Sequence, residues 1–176
     1  MAPDSRSTDQ GFTLIELLIV VAIISIIAAV AIPNLLKTKQ AGNEVSAAGS
    51  LKAVSAAQVG YSLSCGNGGY AVAFPTLGVP SPGTTEGFLS ADLSGAAIPL
   101  KAGYVFNLGP GAGATASNND CNGTATQSTF YASSVPQTFA QTGSRSFALN
   151  AAGTIWQIYA ATPPPEPFGA PATTYK

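Results

Sequence analysis

The chain has 176 residues, 9% of them charged, with a formal net charge of −1 and no histidine. That length suits one helix-led domain around one core, and so sparse and balanced a charge leaves no electrostatic footprint for direct nucleic-acid binding. Without histidine there is no Ser-His or Cys-His pair, the four aspartates and four glutamates show no paired spacing for acid/base work, and no glycine-rich phosphate loop is present, so an enzyme is not expected and no cofactor is implied.

The first element is an apolar run from Phe12 to Ile32 broken by one carboxylate, Glu16, and by no other charge. As an α-helix its 21 residues span about 31 Å, matching a bilayer hydrocarbon core of roughly 30 Å. Leu, Ile and Ala favour the helix, and the length argues against a strand. A carboxylate in hydrocarbon costs on the order of 3 kcal/mol near a helix centre, so Glu16 marks a function and needs a partner. Two simpler readings compete. A cleaved secretory signal, with Ala29-Val30-Ala31 as the small-residue site, does not fit the length, the weakly charged preceding region or Glu16. An ordinary membrane anchor explains the length but not the order of residues around Glu16.

That order, Gly11-Phe12-Thr13-Leu14-Ile15-Glu16-Leu17-Leu18-Ile19-Val20-Val21, continuing to Ile32-Pro33-Asn34-Leu35, resembles the N-terminal segment of type IV prepilins and of type II secretion pseudopilins. The resemblance covers about Gly11 to Leu36. It implies a leader over residues 1–11, cut after Gly11 by an inner-membrane prepilin peptidase, followed by N-methylation of Phe12. It also assigns Glu16 to methylation and filament assembly, and Pro33 to a bend in a long helix. The leader departs from the family pattern, since Asp9-Gln10 precede Gly11 and its only basic side chain is Arg6. The implied function is a structural subunit of a type IV pilus-like filament, polymerised with other pilin subunits by an inner-membrane assembly platform. The precursor would reside in the bacterial inner membrane and the product in an extracellular pilus. The alternative is a pseudopilin in a periplasmic pseudopilus.

Proline at position 33 predicts a kink or local melting around Ala29–Pro33, dividing a membrane or filament-core helix (12–35) from a globular head (36–162). Beyond it, Leu36, Ala47, Leu51, Val54 and Tyr61 fall in one arc at 100° per residue, with Lys37, Lys39 and Lys52 off it, which predicts an amphipathic second half ending near Leu63. Gly42, Gly49 and Gly60 weaken that half, so packing must support it.

Cys65-Gly66-Asn67-Gly68-Gly69 reads as a turn cluster opening a Gly-, Pro-, Ser- and Thr-rich loop to about Pro99. Cys65 and Cys121, the only cysteines, are expected to form a disulfide in an oxidising compartment, restricting the unfolded chain by about 4 kcal/mol. Two distant cysteines without histidine do not make a metal site. Asn118-Asn119-Asp120-Cys121-Asn122-Gly123 could offer oxygens to calcium, but one carboxylate is too few, and turn chemistry is the better reading.

Four strands are predicted at Gly103–Leu108, Thr129–Val135, Ser144–Asn150 and Thr154–Ala160, forming an antiparallel sheet. Asn150-Ala151-Ala152-Gly153 joins the last two as a hairpin. Alternation sets Phe147 and Leu149 on one face, opposed by Ile155 and by either Trp156 or Ile158, with one face against the helix and the other outward. The segment Thr142-Gly143-Ser144-Arg145-Ser146-Phe147 leading to Gly153-Thr154-Ile155 also resembles the closing hairpin of some pilin-like proteins. Residues 163–176, opening Pro163-Pro164-Pro165-Glu166-Pro167, read as an extended, solvated, poorly ordered tail. The aromatics fall mostly in strands and at loop ends, where core packing is a better account than an electron path. The fold class is therefore α+β: a long N-terminal helix, kinked near Pro33, packed on a C-terminal antiparallel sheet of about four strands.

Overall fold

A computed structural model describes residues 11–176; of the expected leader, only Gly11 lies within them. The chain forms two compact units, one ending at Thr38 and one comprising Lys39–Lys176, and helix α1 (Leu14–Ser64) contributes residues to both.

In the first unit α1 runs unbroken through Pro33, so the expected local melting does not occur. Pro33 cannot donate to the carbonyl of Ala29, but the side-chain amide of Asn34 donates to the Val30 carbonyl at 3.1 Å, and the Thr38 hydroxyl donates to the Asn34 carbonyl at 3.0 Å. Side-chain donors thus flank the one gap in the ladder. The apolar side chains of this unit face outward, and α1 is the one helix among the described residues long and apolar enough to cross a membrane.

The second unit is built on the other end of α1. Ala47, Leu51, Val54 and Tyr61 are buried as their spacing predicts, whereas Leu36, which belongs to the first unit, is exposed. The helix stops at Ser64, where Asn67 and Gly68 take positive φ in the turn after Cys65. Two short helices, α2 (Phe74–Gly78) and α3 (Ala91–Ser94), organise the following loop and bury Phe74, Leu77 and Leu93.

Six strands follow in chain order as one antiparallel sheet: β1 (Leu100–Lys101), β2 (Tyr104–Pro110), β3 (Phe130–Pro136), β4 (Ser146–Asn150), β5 (Trp156–Ile158) and β6 (Thr173–Thr174). The four predicted strands are present within a few residues, and two-residue strands are added at both edges. Tyr104, Phe106, Phe130, Ala132, Phe147 and Leu149 share the inner face with the buried residues of α1. Gly153, at φ 75°, closes the β4–β5 hairpin by donating to the Asn150 carbonyl.

The register overturns one expectation. Gln157 opposes Phe147, while Trp156 opposes Ala148 and Ile158 opposes Ser146. Both candidates for the inner face therefore lie on the outer one, because β5 begins only at Trp156, after buried Ile155.

Residues 163–176 are also not a solvated tail. Phe168 stacks between Trp156 and Tyr131, with ring centroids 5.5 and 6.2 Å away. Glu166 accepts from the Asn150 side-chain amide and the Ala112 backbone N–H, both at 2.6 Å. The Tyr131 hydroxyl donates to the Pro164 carbonyl at 2.6 Å, and β6 pairs with β5. Burial, aided by the charge of Glu166, pushes the Tyr131 phenol up to about 12. The proline run thus covers the outer sheet face, and this is why Ser146 and Ala148 are buried although they point away from the helix.

Candidate assembly site on the N-terminal helix

Thr13 precedes the first helical residue, Leu14, and closes a reciprocal cap with Glu16. The Thr13 backbone N–H and hydroxyl donate to Glu16 Oε2 at 2.9 and 2.7 Å, and the Glu16 N–H donates to Thr13 Oγ1 at 3.3 Å. This Thr-x-x-Glu pattern satisfies helix-start donors that would otherwise lack partners, a need that grows in lipid. The partner that Glu16 needs thus lies in part three residues away, in a pattern legible in the sequence as a capping box. Among the described residues Glu16 Oε1 accepts no bond, which leaves one carboxylate oxygen for another group.

Gly11 is exposed, and a Cβ built there would meet nothing within 4 Å. Phe12 is 83% exposed. The predicted cleavage position is thus accessible and lies immediately before the capped helix. Down the helix the Ser25 hydroxyl donates to the Val21 carbonyl at 2.7 Å, so this polar group too is satisfied within the apolar run.

Far along the chain, Cys65 and Cys121 form the expected disulfide, with Cα atoms 4.8 Å apart. Its neighbourhood holds more than the covalent bond. The Tyr61 hydroxyl donates to Asp120 Oδ2 at 2.7 Å, and Asp120 Oδ1 accepts from the N–H groups of Asn122 and Thr124. The carboxylate considered for calcium is therefore buried and engaged in turn and helix contacts. Burial and the adjoining Asp120 push the Tyr61 phenol well above its ordinary range.

Three other anchors of the head were not recognised from sequence. Gln58, fully buried, donates to the Ala71 carbonyl and accepts from the Ala71 N–H, holding the loop to α1 as a strand partner would. Gln40 and Asn43 donate to the carbonyls of Ala140 and Thr142. Glu44, one residue on, accepts from the Ser144 N–H and hydroxyl at 2.8 and 3.0 Å and pairs with Arg145 at 2.6 and 2.7 Å. The Arg145 guanidinium carbon also lies 5.8–5.9 Å from the ring centres of Phe147, Tyr159 and Tyr175. The only advance signal was polar residues three and four apart at the edge of a helix face. Gly143 is required beside them, because a Cβ there would stand 2.0 Å from the Tyr104 hydroxyl oxygen.

An apolar helix with a glutamate-closed start, followed by a helix-and-sheet head, is consistent with a type IV pilin-like fold. Residues 6–32 match the family model described as the prokaryotic N-terminal methylation motif. The chain is 54% identical over 50 residues to the type IV major pilin protein PilA of Myxococcus xanthus, covering 28% of this chain and 23% of that protein. It is 66% identical over 35 residues to the type IV wide pilus major component PilA4 of Thermus thermophilus, covering 20% of this chain and 27% of that protein. The chain thus spans about a quarter of the length of these curated relatives in what it matches. No solved structure matches. The similarity to type IV major pilins is thus carried by the N-terminal segment of the chain.

Proposed function

We propose that the chain is a structural subunit of a type IV pilus-like filament, held in the bacterial inner membrane before assembly and carried to the cell surface in the polymer. The observation that carries this reading is the placement of Glu16 as the sole charge in the exposed apolar stretch Phe12–Ile32, which begins just after Gly11. Prepilin peptidase cleaves after Gly11, which frees an amine at Phe12, and methylation keeps its positive charge. Glu16 holds its own helix start through Oε2 and offers Oε1 to the Phe12 amine of a neighbouring copy. In lipid or in a dry filament core an unpaired carboxylate is costly, so this contact sets the axial register as the assembly platform adds subunits. The apolar side chains of residues 12–32 pack together and exclude water, while the heads form the outer layer. A bend at Pro33 would let helices pack inside while the heads spread outside.

The test combines mass spectrometry of the mature protein with a Glu16→Ala variant. The mature chain is expected to begin at N-methylated Phe12, and the variant is expected to be processed and membrane-resident but nearly absent from sheared filaments. An intact N-terminus in the wild type, or normal filament numbers from the variant, would refute the proposal.

A further inference from the structure

The charges of the head, residues 39–176, are almost entirely committed within it. Glu44 is paired with Arg145, and Asp92 with Lys101 at 2.7 Å. Asp120 and Glu166 are taken up by Tyr61, backbone amides and Asn150. Among the described side chains of this unit the one carboxylate in no hydrogen bond or ion pair is that of Glu86, and the cations in none are Lys39, Lys52 and Lys176.

Two of those three cations line the same groove. It has a volume of about 380 Å³ and lies between α1 and the β4–β5 hairpin, with Val45 and Lys52 on the helix side, Thr154 and Ile155 on the hairpin, and Tyr175 and Lys176 at the chain's last residues. Its lining mixes the apolar Val45, Ala48 and Ile155 with Lys52 and Lys176, a composition that suits a short segment presenting a side-chain carboxylate.

Glu86 is presented in that way. Residues 82–87 are exposed at the tip of a loop that is fixed at its base. The N–H groups of Phe88 and Leu89 both donate to the Leu77 carbonyl, and Thr84 closes back on Ser81. A Cβ at Gly87 would stand 2.5 Å from the Gly78 carbonyl oxygen, so the loop lies flush on α2. Such a loop loses little freedom on docking.

Within one subunit the two features are separated along α1. Phe88 rests against Gly60 and Tyr61, eight residues beyond Lys52, or about 12 Å at 1.5 Å per residue. We infer that the Lys52–Lys176 groove receives the Glu86 loop of a second copy of this chain. Because groove and loop are different surfaces, the contact is heterologous and does not close on itself, and it repeats with an axial offset of the order of that separation. The inference rests on the filament reading and adds a head-to-head contact to the Glu16 contact of the helices.

The experiment introduces Glu86→Lys, Lys52→Glu and the double exchange at the native locus and measures sheared filament relative to the membrane pool. Non-reducing gel mobility checks that each variant keeps its disulfide. Each single change puts like charges together and is expected to lower filament yield at least about tenfold, while the double exchange restores most of it. Zero-length carbodiimide coupling of wild-type filaments is expected to give a dimer band containing a Lys52–Glu86 isopeptide. Single variants that assemble normally, or a double exchange no better than its parents, would overturn the groove contact while the wild type still polymerises. A wild type that forms no filament would overturn the filament reading and this inference together.

Discussion

Replacing Arg145 with Met tests what holds helix to sheet in the head. Glu44 has a side chain only 6% exposed and Arg145 one 24% exposed, so removing the guanidinium leaves a nearly buried carboxylate with only the two Ser144 bonds. Breaking a buried pair from one side costs about 3–5 kcal/mol. The surviving Ser144 donors place this case at the low end, about 3 kcal/mol, which is roughly a 10 °C fall in melting temperature for a unit of this size. The Glu44→Met/Arg145→Met double variant, which leaves no charge stranded, is expected to recover most of that loss. Near-UV circular dichroism of the full chain in detergent, with the disulfide intact, provides the melt. The same pair sets an acid limit. Burial opposes ionisation of Glu44, but the bonds from Ser144 and Arg145 together outweigh it and hold its carboxyl below the ordinary value. A group lowered on folding contributes its full stabilisation above the unfolded value, near pH 4.5, and loses it as pH falls through the folded one. Wild-type melting temperature should therefore drop below about pH 4.5 more steeply than that of the double variant. If Arg145→Met melts within about 2 °C of wild type, the pair behaves as a solvated surface contact and the reasoning fails.

Two further outcomes follow from the packing. Ser134 is fully buried and its hydroxyl has no hydrogen-bond partner, so Ser134→Ala should be neutral or stabilising by up to about 1 kcal/mol in the same melt; a loss of that size would point to a missed partner. Phe168→Ala removes the ring stacked on Trp156, the sole tryptophan, and should shift its fluorescence to the red and cost about 2 kcal/mol. Unchanged emission would mean that the last residues do not cover the sheet.

Periodicity and turn chemistry carried much of the head's architecture. The arc Ala47, Leu51, Val54 and Tyr61 faces the core, the turn follows Cys65, and the four longer strands lie near their predicted positions. These are local signals, in which a repeat of 3.6 or 2 residues reports a buried face and glycine or asparagine reports a reversal. The weak points were polar or proline-rich residues whose partners are remote in sequence. Glu44 and Arg145 are separated by 101 positions, and no local pattern announces their meeting. The proline run reads as extended and solvated until the outer sheet face supplies two rings to sandwich Phe168 and two donors for Glu166. Which of Trp156 and Ile158 faces inward was also beyond reach, since a one-residue slip in register reverses every side chain.

By itself the sequence determined the chemistry of the N-terminal segment: a glycine before Phe12, an apolar length matched to a bilayer, and a single acid in it. Those properties depend on residue order within one helix and need no partner elsewhere in the chain. Tertiary structure alone decided how the head is closed, with Arg145 on Glu44, Asp120 under Tyr61 and the proline-rich end over the sheet. Each of those contacts becomes favourable only once the fold has removed water from groups that are distant along the chain.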